Sequence, residues 1–150
     1  MSNNEKQKTV HIIEFPIIKV KGYHKPSDAF DKRFFYMCKL HNQLVKEAQR
    51  RINQLYRNKH YRNLLCKYNR LKKENRKIEL KEVQDELFQI RCDYDLQGKY
   101  SLQKYASKIQ KKYKNYINSK MVYKESFFVW NGVNKVLFSK GNNLHFKKYI

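Results

Sequence analysis

The sequence contains few of the residues that interrupt helices or build metal sites. Its 150 residues include four glycines and two prolines, which favours long helices joined by few tight turns. The three cysteines, Cys38, Cys66 and Cys92, have a spacing that matches no zinc-binding motif. We therefore expect buried or half-buried free thiols in a reducing cytoplasm, with no metal and no other cofactor.

Signals for membrane insertion and for catalysis are also missing. The first residues, MSNNEKQKT, are polar, and no apolar run reaches the roughly 18 residues that a membrane-spanning helix needs. The five histidines are scattered, and the sequence contains no glycine-rich phosphate loop and no nucleophile motif. These absences predict a cytoplasmic protein that is neither inserted in a membrane nor an enzyme.

Acidic residues are scarce compared with basic ones. The chain has 34 Lys and Arg residues against 13 Asp and Glu residues, which gives a formal net charge of +21. A compact domain with this charge repels itself, and binding to a polyanion relieves the repulsion. Nucleic acid is the leading candidate partner and an anionic membrane surface is the second. An AT-rich genome would explain many lysines, but it would not explain the shortage of acids.

The hydrophobic pattern predicts two strands around a helical block. Residues 1–9 are polar and are expected to be a disordered lead-in, while the β-branched residues of 10–25 predict a first strand. Helical periodicity dominates residues 26–141, and residues 142–150 again predict a strand. The expected fold class is therefore mainly α, with one helical bundle between a first and a last β-strand.

Several features inside the helical block lead to specific expectations. An apolar stripe on the first helix consists of Phe30, Phe34, Met37, Leu44, Ala48, Ile52 and Leu55. His41 lies within this stripe, and we expect a buried histidine rather than a ligand; Trp130 is expected in the core. A helix break is predicted near Asn58, and Ser101 is predicted to cap a later helix. The acidic stretch at 78–95 predicts a solvated helix face.

Two basic runs form the candidate binding surface. Positions 59–77 contain eight basic residues and one acid, and positions 104–124 contain seven lysines and no acid. Lysines on one helix face can follow a phosphate backbone as point charges. The candidate nucleic-acid-binding residues of these runs are Lys67, Arg70, Lys72, Lys73, Arg76, Lys77, Lys104, Lys108, Lys111, Lys112 and Lys114. If only one such run were present, a solvated helix face that binds no ligand would be the better interpretation. Tyr105 and Tyr113 either belong to the core or stack on unpaired bases.

Three stretches resemble a known family. They are WNGV at 130–133 leading to VLF at 136–138, the ending LFSKGNNLHFKK at 137–148, and the less specific LHNQLVKEAQ at 40–49. These stretches are similar to the N-terminal region of the TnpB (OrfB) proteins of bacterial insertion sequences. Those proteins are compact RNA-guided nucleases related to the type V CRISPR effectors.

The resemblance implies a recognition bundle inserted in an incomplete wedge-like β-barrel. Residues 142–150 would be the return strand, and Lys147 and Lys148 join the candidate nucleic-acid-binding residues. The RuvC-like nuclease and its acidic metal ligands would come later, so the resemblance implies a chain truncated before the nuclease. The implied partners are guide-like RNA, DNA and a TnpB-like nuclease chain. The alternatives are a partner-binding regulator, which docks through exposed strands, and a subunit of a split RNA-guided nuclease.

Overall fold

The computed structural model describes residues 26–139, 141 and 143–148, and this part of the chain is mainly helical. It contains five helices: α1 Pro26–Arg57, α2 Lys59–Lys73, α3 Lys77–Asp93, α4 Gln103–Lys112 and α5 Ser119–Phe138. The predicted helical block is therefore confirmed. No strand is present among these residues, and the predicted lead-in at 1–9 and first strand at 10–25 lie outside them.

The C-terminal segment, residues 143–148, lies against α1 and has no strand assignment. The backbone of Lys147 bonds to side chains of α1: its N–H donates to Asn42 Oδ1 at 2.8 Å, and its carbonyl oxygen accepts from Asn42 Nδ2 at 2.9 Å. The Cys38 thiol also donates to that oxygen, at 3.3 Å. In a sheet these backbone groups would bond to a neighbouring strand. The expected return strand is thus not observed at 143–148, and the wedge-like β-barrel stays a prediction.

Short polar side chains set two of the helix starts. The predicted break at Asn58 is confirmed, because Asn58 Oδ1 accepts from the Tyr61 N–H at 3.1 Å and caps α2. Asn118 caps α5 in the same way. The predicted cap at Ser101 is wrong. Its hydroxyl oxygen accepts from the Gly98 N–H at 3.0 Å and so stabilises the preceding turn, a local bond that competes with capping.

Helices α1, α4 and α5, which we call the body, share one apolar core. Its buried side chains include Leu40, Leu44, Ala48, Ala106, Ile109, Val129 and Val133. Trp130 is 8% exposed, which confirms its predicted core position. Phe30 and Phe34 were predicted on the same stripe, but they are 57% and 61% exposed. On α1, coverage begins at Tyr36, whose ring contacts Tyr113 and Tyr116 in the connection between α4 and α5.

Helices α2 and α3 form a helical hairpin that packs chiefly on itself. The turn between them, at 74–76, contains Asn75 in the left-handed backbone region, with φ of 59°. Asparagine tolerates this region better than most residues. The buried residues of the helical hairpin are Tyr61, Leu64, Leu71, Val83 and Leu87. One apolar side of each helix is therefore covered by the other helix, and the opposite sides face solvent.

Candidate nucleic-acid interface

The lysines of α4 and of the turn that follows it form an exposed surface, the α4 basic face. It consists of Lys104, Lys108, Lys111, Lys112 and Lys114. The opposite side of α4 packs into the core, where Ala106 and Ile109 are 0% and 5% exposed. Among the described residues, no carboxylate forms an ion pair with any of these five lysines. Their positive charges are therefore available to phosphate groups.

The second predicted run, the α2 basic run, is exposed but has acidic neighbours. It consists of Lys67, Arg70, Lys72, Lys73, Arg76 and Lys77. Arg76 forms ion pairs with Glu74, at 3.5 Å, and with Glu79. Helix α3 packs beside α2, and its acids are mostly exposed, as the sequence predicted. The negative charges of α3 therefore offset part of the positive potential of this run.

Lys147 and Lys148 differ in their surroundings. Lys148 is exposed. Lys147 Nζ lies 2.8 Å from Glu125 Oε1 and 4.8 Å from the centroid of the Phe128 ring. The charge of Lys147 is thus largely compensated within the protein. Of the two C-terminal lysines, Lys148 is the better placed for a phosphate contact.

Lys147 belongs to a partly buried polar cluster that the sequence did not predict, the His41 cluster. His41 Nδ1 lies 2.5 Å from Glu125 Oε1, and His41 Nε2 lies 2.9 Å from the carbonyl oxygen of His145. Both ring nitrogens face oxygen acceptors, so His41 makes both bonds as a donor when it is doubly protonated. The predicted burial of His41 is confirmed at 3% exposure. Its partner escaped prediction because Glu125 lies 84 positions away.

The His41 cluster stabilises the charged form of Glu125. Burial alone would raise the pKa of this carboxyl group, but hydrogen bonds from His41 and Lys147 outweigh burial, and its pKa is lowered. The carboxylate therefore joins α5 to α1 through His41 and to the C-terminal segment through Lys147. This arrangement positions structural elements; it provides no exposed reactive group.

A second polar cluster connects α1 to the turn before α4. The Arg51 guanidinium is buried and donates to Glu47 Oε1 at 2.8 Å and to the Ser101 carbonyl oxygen at 2.9 Å. Arg50 also donates to both carboxylate oxygens of Glu47, at 2.9 and 2.7 Å. The hydrogen bond from Arg50 is the main reason that the pKa of Glu47 is lowered, against the effect of burial. The negative charge of Glu47 is therefore compensated.

Between α1 and α4 lies an open groove of about 590 Å³, the α1–α4 groove. Its lining residues are Gln43, Lys46, Glu47, Arg50, Tyr105, Lys108, Ile109 and Lys112. Four of them are cations, and the single carboxylate is already paired with two arginines. On each helix the lining positions follow the spacing i, i+3, i+4, i+7, which places them on one helix face. This spacing is visible in the sequence, but the pairing of the two faces is not.

The structure separates the two tyrosines whose roles the sequence left open. Tyr113 lies in an aromatic cluster, with its ring centroid 4.8 Å from that of Tyr36, which in turn stacks on Tyr116 at 4.3 Å. Tyr105 is half-buried and lines the α1–α4 groove. Tyr113 is therefore a packing residue, whereas Tyr105 presents part of its ring to the groove.

Metal-binding clusters and membrane-spanning helices are absent from the described part of the chain. No group of three His, Cys, Asp or Glu side chains among them could hold a metal ion. The three cysteines are free; Cys38 and Cys92 are half-buried, but Cys66 is exposed, whereas all three were expected to be buried or half-buried. No helix in the described part of the chain is long and apolar enough to cross a membrane.

Comparison with known proteins adds no assignment to these observations. No family model, curated protein or solved structure matches the chain. The function is therefore inferred from the charge and geometry of the described residues, together with the sequence resemblance.

Proposed function

We propose that this chain binds nucleic acid, with RNA as the preferred partner, and that the α4 basic face makes the main phosphate contacts. The observation that carries the proposal is the set of five exposed lysines that no described carboxylate neutralises. Lysine ammonium groups displace condensed counterions from a phosphate backbone, and this release drives binding without sequence preference. The α2 basic run and Lys148 would extend the contact.

We further propose that the chain is the recognition bundle of a TnpB-like protein. The resemblance of the stretches at 40–49 and 130–148 supports this origin, and the helical block is the architecture that such a bundle requires. In this proposal, residues 10–25 belong to the wedge-like β-barrel, and guide-like RNA, DNA or both are bound.

The α4 basic face is tested by a triple variant with a matched control. The α4 triple variant carries Lys108→Gln, Lys111→Gln and Lys112→Gln. The dispersed control carries Lys32→Gln, Lys81→Gln and Lys135→Gln, which removes the same charge from exposed positions on three other helices. Binding to a structured RNA is measured by fluorescence anisotropy at about 0.15 M salt, which is near physiological ionic strength.

Each lost phosphate contact makes the slope of log affinity against log salt concentration shallower by about 0.7–0.9. Because the α4 triple variant loses three contacts, we expect it to bind RNA roughly 50- to 150-fold more weakly than the wild-type chain at this salt concentration. The dispersed control should lose much less affinity. Equal losses in the two variants would mean that net charge alone drives binding, and that the α4 basic face is not the interface.

A second candidate function is binding to a protein partner, such as a TnpB-like nuclease. The observation that favours it is the exposure of Phe30 and Phe34, whose rings lie 6.0 Å apart at the start of α1. Exposed aromatic side chains often anchor protein interfaces. The variant Phe30→Ser with Phe34→Ser should then abolish binding to a purified full-length TnpB-like protein and leave RNA affinity unchanged. Unchanged binding to that protein would remove this candidate.

A further inference from the structure

We propose that the α1–α4 groove holds one unpaired nucleotide, with its base against Tyr105 and Gln43 and its phosphates on the lysines at the rim. This inference rests on the proposed function, because it assigns a ligand to one edge of the α4 basic face. It adds a preference that phosphate contacts alone do not provide, namely a preference for unpaired over fully paired nucleic acid.

The size and polarity of the groove fit a nucleotide. Its volume of about 590 Å³ lies within the roughly 300–1,000 Å³ that small-molecule sites occupy. Ile109 is buried beneath the groove, whereas Lys46, Lys108 and Lys112 are exposed at its edges. An apolar floor between cations suits a ligand with a flat apolar face and negative groups on either side. A base with its flanking phosphates has this chemistry.

Gln43 provides a second, independent observation at the groove. Its side-chain oxygen is buried and has no hydrogen-bond partner among the described residues, although Gln43 lines the groove. A buried acceptor without a donor is unfavourable, and native proteins contain few of them. An amide that turns toward the groove could accept from the exocyclic amine of a base and donate to a ring nitrogen, as glutamine does with adenine.

Tyr105 supplies the stacking surface. It is half-buried, so its position is fixed by the core, yet it lines the groove. Aromatic side chains that stack on unpaired bases are typical of proteins that bind single strands. A base within a duplex is stacked on both faces and paired along its edge. Only an unpaired or extruded base could therefore reach both Tyr105 and Gln43.

The experiment compares a stem-loop RNA with an adenine-rich loop and a blunt duplex with the same stem. One loop adenine is replaced by 2-aminopurine, whose fluorescence is quenched when it stacks. We expect the full chain to bind the stem-loop about 5- to 150-fold more tightly than the duplex, the range of one base–aromatic stack. Binding should also quench 2-aminopurine beyond its level in the free stem-loop.

Two variants and one control locate the base. Tyr105→Leu should remove the additional quenching and the preference for the stem-loop. Gln43→Leu should weaken stem-loop binding by roughly tenfold, the scale of one base-edge contact. Because Gln43→Leu removes an unpaired buried acceptor, its thermal stability should be unchanged or higher. The control is Tyr100→Leu, which changes a 55% exposed tyrosine outside the groove and should preserve all readouts.

The outcomes distinguish this inference from the proposed function. Equal affinity for stem-loop and duplex, with no effect of Tyr105→Leu or Gln43→Leu but weaker binding by the α4 triple variant, would overturn only the groove assignment. No binding of the stem-loop RNA, the duplex RNA or the DNA stem-loop would overturn both proposals. Binding of the same stem-loop made of DNA shows whether the chain accepts deoxyribose as well as ribose. Loop-dependent binding of either nucleic acid supports the groove assignment.

Discussion

The body and the helical hairpin both carry a basic run, but they differ in what lies beside it. The α2 basic run has the acids of α3 as neighbours, and Arg76 is paired with two of the carboxylates nearby. The α4 basic face has no such partner among the described residues, and the carboxylate nearest to it in the groove, Glu47, is paired with Arg50 and Arg51. The number of lysines in a stretch therefore does not measure the positive charge available to a ligand.

The two regions also differ in how they are held together. In the body, three helices share a core, and the His41 cluster connects α1, α5 and the C-terminal segment. The helical hairpin buries fewer side chains, mainly between its own two helices. Regions with fewer buried contacts open more readily. We therefore expect substitutions in the body to affect stability, and substitutions on the basic surfaces to affect binding.

The largest effect is expected for Trp130→Ala. Removing this nearly buried indole leaves a cavity in the body and should lower the free energy of unfolding by about 3–5 kcal/mol. Urea denaturation followed by far-UV circular dichroism measures the change. The control is Ile78→Ala in the helical hairpin, where the side chain is 79% exposed. The free energy of unfolding of this control should stay within about 0.5 kcal/mol of the wild-type value. A Trp130→Ala protein as stable as the control would contradict the assignment of the core.

A smaller loss of stability is expected for His41→Ala. The substitution removes one of the two side chains that bond to Glu125, which leaves Lys147, and it removes the bond to the His145 carbonyl group. Because a buried charge then loses one of its partners, the free energy of unfolding should fall by about 2–4 kcal/mol in the same denaturation experiment. Hydrogen exchange at the Lys147 amide, which donates to Asn42, should become faster. Unchanged exchange would mean that the segment is held without the His41 cluster.

Binding by the helical hairpin should be affected less than binding by the body. The triple variant Lys67→Gln, Lys72→Gln and Lys73→Gln removes the same charge as the α4 triple variant. Since α3 offsets part of this surface, we expect the log–log salt slope for RNA to fall by about one rather than by two to three. Fluorescence anisotropy across a salt series measures both slopes. A larger fall in the salt slope for the helical-hairpin variant than for the α4 triple variant would reverse the order proposed for the two basic regions.

The smallest effect concerns pH and Glu125. Because the folded state lowers the pKa of this carboxyl group, it contributes stability that is complete above the unfolded pKa of about 4.3. That contribution is lost as the pH falls below this value, through the pKa of the folded state. Between pH 6 and 3, the stability of Glu125→Gln should decline less steeply than that of the wild-type protein. Parallel declines would show that the carboxylate is not stabilised by folding.

The sequence predicted those features that depend on neighbouring residues. Asn58 caps a helix through a bond to a residue three positions away, and the burial of Leu44, Ala48 and Ile52 on α1 follows from local periodicity. It could not predict contacts between distant positions, such as the pair His41 and Glu125. Phe34 has the periodicity of a core residue, but whether it is covered depends on where other helices pack, and its exposure was therefore missed.

The candidate site was predictable to a similar degree. The lysines of α4 were expected to be exposed because they lie opposite the apolar positions of the same helix, and they are exposed. The pairing of Lys147 with Glu125 depends on the tertiary structure and was not foreseen. The α1–α4 groove combines two helix faces that lie about sixty positions apart in the sequence. Each face is visible in the sequence by its spacing, but their contact is a property of the fold.

The most direct test of nucleic-acid binding is the salt dependence of the affinity of the wild-type chain for a structured RNA. Affinity should fall steeply as salt rises, because each phosphate contact releases counterions. About six contacts on a duplex region give a log–log slope near −5. A slope of this size would support phosphate binding by the basic surfaces. A slope shallower than about −2 would mean that these lysines are only solvated, and it would contradict the proposed function.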